Sequence, residues 1–502
     1  MKNRIMKFFT AFLILVLTGG CAKFTEIDPK GTNMLQKVSD IDMLLNHRFY
    51  SSIYENASTV QLMNDMQGMT TAYSLINEPK VLPVASAIFT WDASIDRATA
   101  TETDNIYTGL YSVIGKICNP VLLRADQAEG DRALAGRLKA EAYILRVWHH
   151  YILVNMYAKA YDPATAAEDG GIPYSRETDL LSVPNPKYSV QEVYDLMLED
   201  LEAAFALNSF AAPSSNRMRV NSAFAHAVKA KVLMSMRDYE GAYQAATAAL
   251  AIENTVDDYN TMISYVAQRY YSSVISGYSF SRPEMSSRED LFYAGYTYLL
   301  VLGIPSEFAA SFEPGNIFYQ HTDRLADSFS FGANIDAWFD QNVYLNCGGL
   351  STVDMYLLQA ECLIRRGDAT NINNAMDIIN MIRRHRVATD VYTATTVAND
   401  TPDKIDPADF YTPYTASTQA NAIAYLKQMV RTECWYGPKR YMDVKRWNTE
   451  TAWQEVFHKH VDAIYGAGTV GYDFTLSPES PLWVFPFPSK STGLNANLTQ
   501  NY

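Results

Sequence analysis

Through the middle of the chain, apolar residues recur at helical spacing. Leu138, Ala142, Leu145, His149, Ile152 and Met156 are separated alternately by four and three positions, which predicts one face of a long helix. Gly170, Gly171, Pro173, Pro184 and Pro186 break that pattern, so 162–186 is expected to be a loop. Ser189 and Glu192 have the spacing of a capping box and open a second helix. Its expected buried stripe is Val190, Tyr194, Met197, Leu201 and Ala204.

Two helical hairpins follow. Ala223–Met236 and Glu240–Ile252 flank a tight turn at 237–239, and Ala242, Ala245, Ala246 and Ala249 keep the second helix slim enough for close packing. Met355–Arg366 and Ala375–Arg386 repeat the design around Gly367 and Asp368. Such Ala- and Leu-rich pairs are tetratricopeptide-like. They lie far apart in the chain, which argues for dispersed helix pairs with long insertions rather than a tandem array. The fold class is therefore mostly α, a scaffold of helix pairs. The largest insertion, 259–349, has no sustained helical stripe and holds nineteen aromatic residues in 91 positions, about 21% against 13% for the whole chain. A loop-rich segment of this kind is where a recognition surface is expected, although rings that merely pack loops onto the scaffold would give the same composition.

The N-terminus changes the picture. Lys2, Arg4 and Lys7 precede an apolar run from Phe8 to Leu17, then the small residues Thr18, Gly19 and Gly20, then Cys21. The run is too short to span a bilayer and has the form of a secretory signal over 1–20. A cysteine directly after it resembles a bacterial lipobox, with Thr18 where leucine is usual. Cys21 is thus the expected lipidation site, 21–36 the tether, and 37–502 a single domain. The membrane is reached only through that lipid anchor. The formal charge of −14 becomes −17 once the three basic residues of 1–20 are removed (38 basic against 55 acidic). A chain this acidic is a poor partner for nucleic acid. Cys118, Cys347, Cys362 and Cys434 form no CxxC pair, so no zinc site is expected, while disulfides among them stay open. Cys362 lies mid-helix among apolar neighbours and is expected to be buried.

Several patches, in order, resemble the SusD/RagB family of starch-binding-like outer-membrane lipoproteins. They are Arg137–Arg146 with Tyr157 and Gly171–Tyr174; Tyr188–Tyr194 with Glu199–Ala203; Ala360–Asp368 with Asn380–Arg383; Arg431–Glu433 and Arg440–Trp447; and Phe485–Pro488 with Asn495–Tyr502. Gly437-Pro438 departs from the family pattern, which usually has an acidic residue and glycine there. The resemblance implies four tetratricopeptide-like helix pairs carrying ligand-facing loops. It also implies capture of an oligosaccharide or polysaccharide and transfer to a SusC-like TonB-dependent transporter, without cofactor. Some members of the family serve peptide uptake instead.

Sugar rings stack their C–H faces on aromatics and pair their hydroxyls with Asn, Asp or Arg. Two regions offer that mixture: 64–91, with Asp65, Tyr73 and Trp91, and 265–342, with Tyr278, Tyr296, Trp338 and Asn342. The chief rival is a glycoside hydrolase, which needs two facing carboxylates; a scaffold that only holds other proteins is the second. Other motifs point to structure. Arg440 stands three residues before Asp443, the spacing of a local ion pair or a solvated face. Arg383, Arg384 and Arg386 suit a helix C-terminus. Gly466–Gly471 matches G-x-G-x-x-G but no helix pattern follows it, so it reads as a flexible loop. His458 and His460, two residues apart, suit no helical metal pair.

Overall fold

The computed structural model describes residues 35–46, 65, 72–80, 83–176, 184–270, 273–280, 287–294, 296–297, 344–346, 348–387, 390–391, 403–404, 411–434, 437–465 and 468–502. Cys21, Trp338, Asn342 and Cys347 lie outside them.

The first helices are α1 (Val38–Leu45), α2 (Ala72–Asn77), α3 (Pro83–Thr90), α4 (Arg97–Ala100) and α5 (Asn105–Val113). Asp96 and Asp104 cap α4 and α5 by accepting from backbone N–H groups of the first turn. α5 continues through a π-turn, Ile114–Cys118, into α6 (Asn119–Arg124). The widened turn lies just before Pro120, which has no N–H to donate and would crowd the carbonyl four residues back in a regular helix. The run Asn105–Arg124 is long and apolar enough to cross a membrane, yet half of its apolar window is buried inside the protein.

Asp131 caps α7 (Arg132–Tyr157), the longest described helix. Next come α8 (Val190–Ala206), opened by the expected Ser189–Glu192 capping box, and the hairpin α9 (Ser222–Ser235) and α10 (Tyr239–Ile252). α7 packs against α1, α5, α6, α8 and α9. That is why nearly every residue from Leu138 to Tyr157 is buried, where the apolar stripe alone predicts one face.

The segment after α10 forms short antiparallel ribbons. β1 (Ile263–Tyr270) pairs with β2 (Ser273–Phe280), β3 (Asp290–Phe292) with β6 (Leu350–Ser351), and β4 (Tyr296–Thr297) with β5 (Tyr344–Leu345). The scaffold resumes with α11 (Thr352–Arg366) and α12 (Ala369–Arg384). Ser351 and Asp354 form a second capping box, so α11 starts three residues before the expected Met355. Asp368 accepts from the Asn371 N–H at 3.0 Å and starts α12 at Ala369, earlier than the expected Ala375. β7 (Asp390–Val391) pairs with β8 (Asp403–Lys404). Last come α13 (Gln419–Glu433), α14 (Lys439–Trp447), the hairpin β9 (Phe457–Tyr465) and β10 (Gly468–Leu476), and α15 (Ser489–Leu494).

The helix pairs α7–α8, α9–α10 and α11–α12 are joined side by side, with α10 against α11 and α11 against α13. Ala242, Ala245, Ala246 and Ala249 are buried and let α10 sit between its neighbours. The fold is mostly helical, as the periodicity predicts. Cys118, Cys362 and Cys434 are buried free thiols.

Charged side chains inside this scaffold are paired over long chain distances, and here two local expectations are corrected. Arg440 does not pair with Asp443. Arg440 is 1% exposed and donates to Asp65 and, at 2.7 Å, to Glu455, while Asp443 accepts from Lys231 at 2.9 Å and Arg446 at 3.3 Å. α14 is enclosed, not solvated, and a buried charge must find a counter-charge wherever the fold supplies one. Arg386 is likewise not a helix-dipole cation. It lies beyond the end of α12, buried, and donates to Glu433 at 3.0 Å and Glu289 at 3.2 Å. Arg383 and Arg384 are both in the last turn of α12, as the dipole reading expects, Arg383 buried and Arg384 exposed.

Candidate functional site

Within the first region, 64–91, the described helix α2 packs against the C-terminal hairpin. α2 and α3 lie side by side, and α2 contacts β9. Leu75 from α2 and Ala87, Ile88 and Phe89 from α3 turn inward. Trp91 ends α3 with φ of 53°, a left-handed backbone unusual for a bulky residue. The surroundings hold it there: the indole lies 6.2 Å from the Phe457 ring, and the Lys459 ammonium stands 4.3 Å from its centroid.

Lys459 is 2% exposed and also lies 4.2 Å from the Phe89 ring and 5.9 Å from Phe474. Three ring faces therefore surround one cation, an arrangement that partly offsets its loss of water. Burial pushes its pKa down to about 7, with Asp65 acting weakly in the opposite direction. Asp65 accepts from both terminal nitrogens of Arg440 and lies 3.4 Å from Arg431. The Arg440 guanidinium in turn stands 4.3 Å over Phe457.

Trp91 and Asp65 thus belong to the interior. At 7% and 6% exposure they tie their loops to β9 and α14 and do not present a ring face or carboxylate to solvent. The expectation that these two contact ligand is corrected on that ground. Tyr73 lies in α2, one helix away. Of the second region, Tyr278 lies in β2 opposite Tyr265 of β1, and Tyr296 in β4 opposite Leu345 of β5. The structure thus spreads the described members of that region over two ribbons. Part of the aromatic insertion is scaffold: Tyr259, Phe292 and Tyr293 are buried, and Phe292 stacks on Phe224 at 4.4 Å.

The described part of the glycine string, 468–471, is not a loop: it lies in β10, which runs from Gly468. On this hairpin sit residues that sequence reading did not name. Tyr472 and Phe474 are part-exposed, their ring planes 5° apart and their centroids 6.4 Å apart, and the Tyr472 hydroxyl accepts from Asn77 of α2 at 3.1 Å. The alternation Val470, Tyr472, Phe474, Leu476 was the available signal.

Two other arrangements are less suited to a ligand. Lys231, Asp354, Glu361, Asp443 and Arg446 line a polar cavity between the helix pairs with room for about one water, far too small for a sugar ring. Among the described residues no three His, Cys, Asp or Glu side chains converge as metal ligands.

A mostly helical stack of helix pairs with few strands is the architecture of SusD-like proteins, which this chain resembles in fold. The model described as "Starch-binding associating with outer membrane" matches residues 23–234, and the SusD family model matches 352–502. The chain belongs to the SusD/RagB family. No curated protein matches it. Among solved structures, it is similar to a SusD-like carbohydrate binding protein from Bacteroides vulgatus ATCC 8482, at 16% identity and TM-score 0.59 over 92% of this chain and 97% of that one. A SusD-like protein from Bacteroides fragilis NCTC 9343 gives 14% and 0.62 over 93% and 97%. Surface glycan-binding protein A from Bacteroides uniformis gives 14% and 0.59 over 92% and 99%. At these identities the likeness is one of fold.

Proposed function

We propose that this protein is a cell-surface, lipid-anchored binding protein that captures glycans outside the outer membrane and passes them to a SusC-like TonB-dependent transporter. The observation that carries the reading is the agreement of two models of one family, the first described as starch-binding and outer-membrane associated, in order along the chain. Full-length likeness to proteins described as carbohydrate- or glycan-binding supports it, as do the signal-like N-terminus ahead of Cys21 and the aromatic insertion. Capture is non-covalent: rings stack on sugar faces and side-chain polar groups take the hydroxyls. Tyr73, Tyr278, Tyr296, Trp338 and Asn342 are the proposed contacts.

Native affinity gels that carry soluble starch, xylan, mannan or arabinogalactan test the reading. Retention on at least one gel, with no new reducing ends, is expected. Release of reducing ends would make the protein a glycoside hydrolase. Failure on every glycan, together with binding of a peptide digest, would make it a peptide-uptake protein of the same fold. Mass spectrometry of the membrane-extracted protein is expected to find acyl chains on Cys21, and a barrel transporter is expected to co-purify with it.

A further inference from the structure

The small polar cavity between the helix pairs is lined by Lys231 from α9, Asp354 and Glu361 from α11, Asp443 and Arg446 from α14, and the Cys434 thiol at the end of α13. Lys231, Asp354, Glu361 and Arg446 are buried, so their hydrogen bonds must be made inside the protein. For Glu361 they are: it accepts from Arg446 at 2.7 and 2.8 Å and from Arg365 at 2.9 Å.

Two other lining groups have bonding capacity left. The Lys231 ammonium carries three protons, and both of its contacts, at 2.9 and 3.2 Å, go to the one carboxylate of Asp443, so at least one proton remains. Oδ2 of Asp354 accepts from Lys439 at 3.0 Å and from the Ser351 N–H and hydroxyl at 2.7 and 2.9 Å. Oδ1 of Asp354 has, among the described residues, only the Cys434 thiol at 3.6 Å, a weak donor. The two groups also act on each other through space. Burial alone would raise the Asp354 carboxyl, but the charge of Lys439 and then that of Lys231 hold it below its usual value, although no direct hydrogen bond joins Lys231 to Asp354.

The cavity has room for about one water. A sodium ion there would meet Lys231 and Arg446, and a chloride would meet three carboxylates. An apolar guest would leave the ammonium proton unpaired. A water is neutral and both accepts and donates. We infer that the cavity is a binding site for one ordered water, which accepts from Lys231 and donates to Asp354 and so ties α9 to α11 beside the Arg446 ion pairs. The site belongs to the joint between helix pairs and does not depend on glycan capture.

A high-resolution crystal structure of the mature protein is expected to show a single peak within hydrogen-bonding distance of both Lys231 Nζ and Asp354 Oδ1. A well-defined cavity with no peak overturns the site. So does a peak that gives an anomalous signal after rubidium or bromide soaking, which would make the occupant an ion. In solution, oxygen-17 relaxation dispersion of water counts the long-lived internal molecules. Val430→Leu, which adds a methylene to the cavity wall, is expected to lose about one of them relative to the wild type. An unchanged count in a folded Val430→Leu overturns the site, and the wild-type crystal decides alone if that variant does not fold.

Discussion

Glu361 shows what a single buried carboxylate does here. It accepts from Arg446 at 2.7 and 2.8 Å and from Arg365 at 2.9 Å. Burial alone would raise its pKa, but the two guanidiniums outweigh burial and hold it at about 2. A depressed carboxylate stabilises the fold above its unfolded pKa, and that stability disappears as pH falls from about 4.5 to about 2. We expect Glu361→Gln to cost roughly 3 kcal/mol at neutral pH and to remove that part of the acid dependence, as read from urea midpoints across pH. Lys459 has the opposite sign. Its folded pKa near 7 lies below that of an unfolded lysine, so the unfolded chain binds more protons between about pH 7 and 10.5 and stability climbs with pH in that window. Lys459→Met is expected to flatten this slope. Neither residue was legible in sequence. Glu361 sits in an ordinary helical stripe, and Lys459 interrupts an apolar alternation in a way that reads as a solvated position. Arg365 is the local i,i+4 partner of Glu361, but Arg446 and the rings around Lys459 come from elements distant along the chain, which local spacing does not encode; Asp65 and Arg440, 375 positions apart, are the extreme case.

At the scale of elements, the helices were legible because caps and breakers are local. Ser189 donates its N–H to Glu192 at 2.7 Å and accepts from the Glu192 N–H at 3.2 Å. Ser189→Ala is expected to lower stability by about 1 kcal/mol. Gly367 closes α11 at φ 82°, and Gln419 of α13 seals the same end by donating to the Ile364 carbonyl at 2.8 Å. Gly367→Ala is expected to cost about 1–2 kcal/mol, since a Cβ there adopts a disfavoured backbone and comes within 3.4 Å of the Gln419 amide. Denaturant titration at neutral pH checks both. The C-terminal hairpin was missed for a physical reason. Gly468 and Gly471 weaken the strand signal of β10 and the inward positions of β9 include a lysine, so the period-two pattern does not stand out. The ring pair of Tyr472 and Phe474 was hidden with it, while Trp91, an aromatic in a polar neighbourhood, looked like a contact. Ligand-facing and core rings are the same residue types, and only the third dimension separates them.

For the molecule as a whole, the strong negative charge and the internal pairing of its cations shape what it can bind. Recognition that rests on ring faces and hydroxyl contacts is nearly independent of ionic strength, whereas ion-pair recognition is screened. Affinity-gel retention is therefore expected to change less than about twofold from low to high salt; a steep loss would point to a charged ligand. The position of α14 carries a further consequence. Lys439 neutralises Asp354 at 3.0 Å, Arg440 neutralises Asp65, Arg446 neutralises Glu361, and the Lys445 ammonium donates to the Asn155 and Ala158 carbonyls at the end of α7 at 2.7 and 2.5 Å. A chain emerging N-terminus first must then wait for nearly its last tenth before the counter-ions of its early and middle segments arrive. Under the export reading proposed above, such a chain is expected to lock its fold only after its C-terminal segment has crossed the membrane.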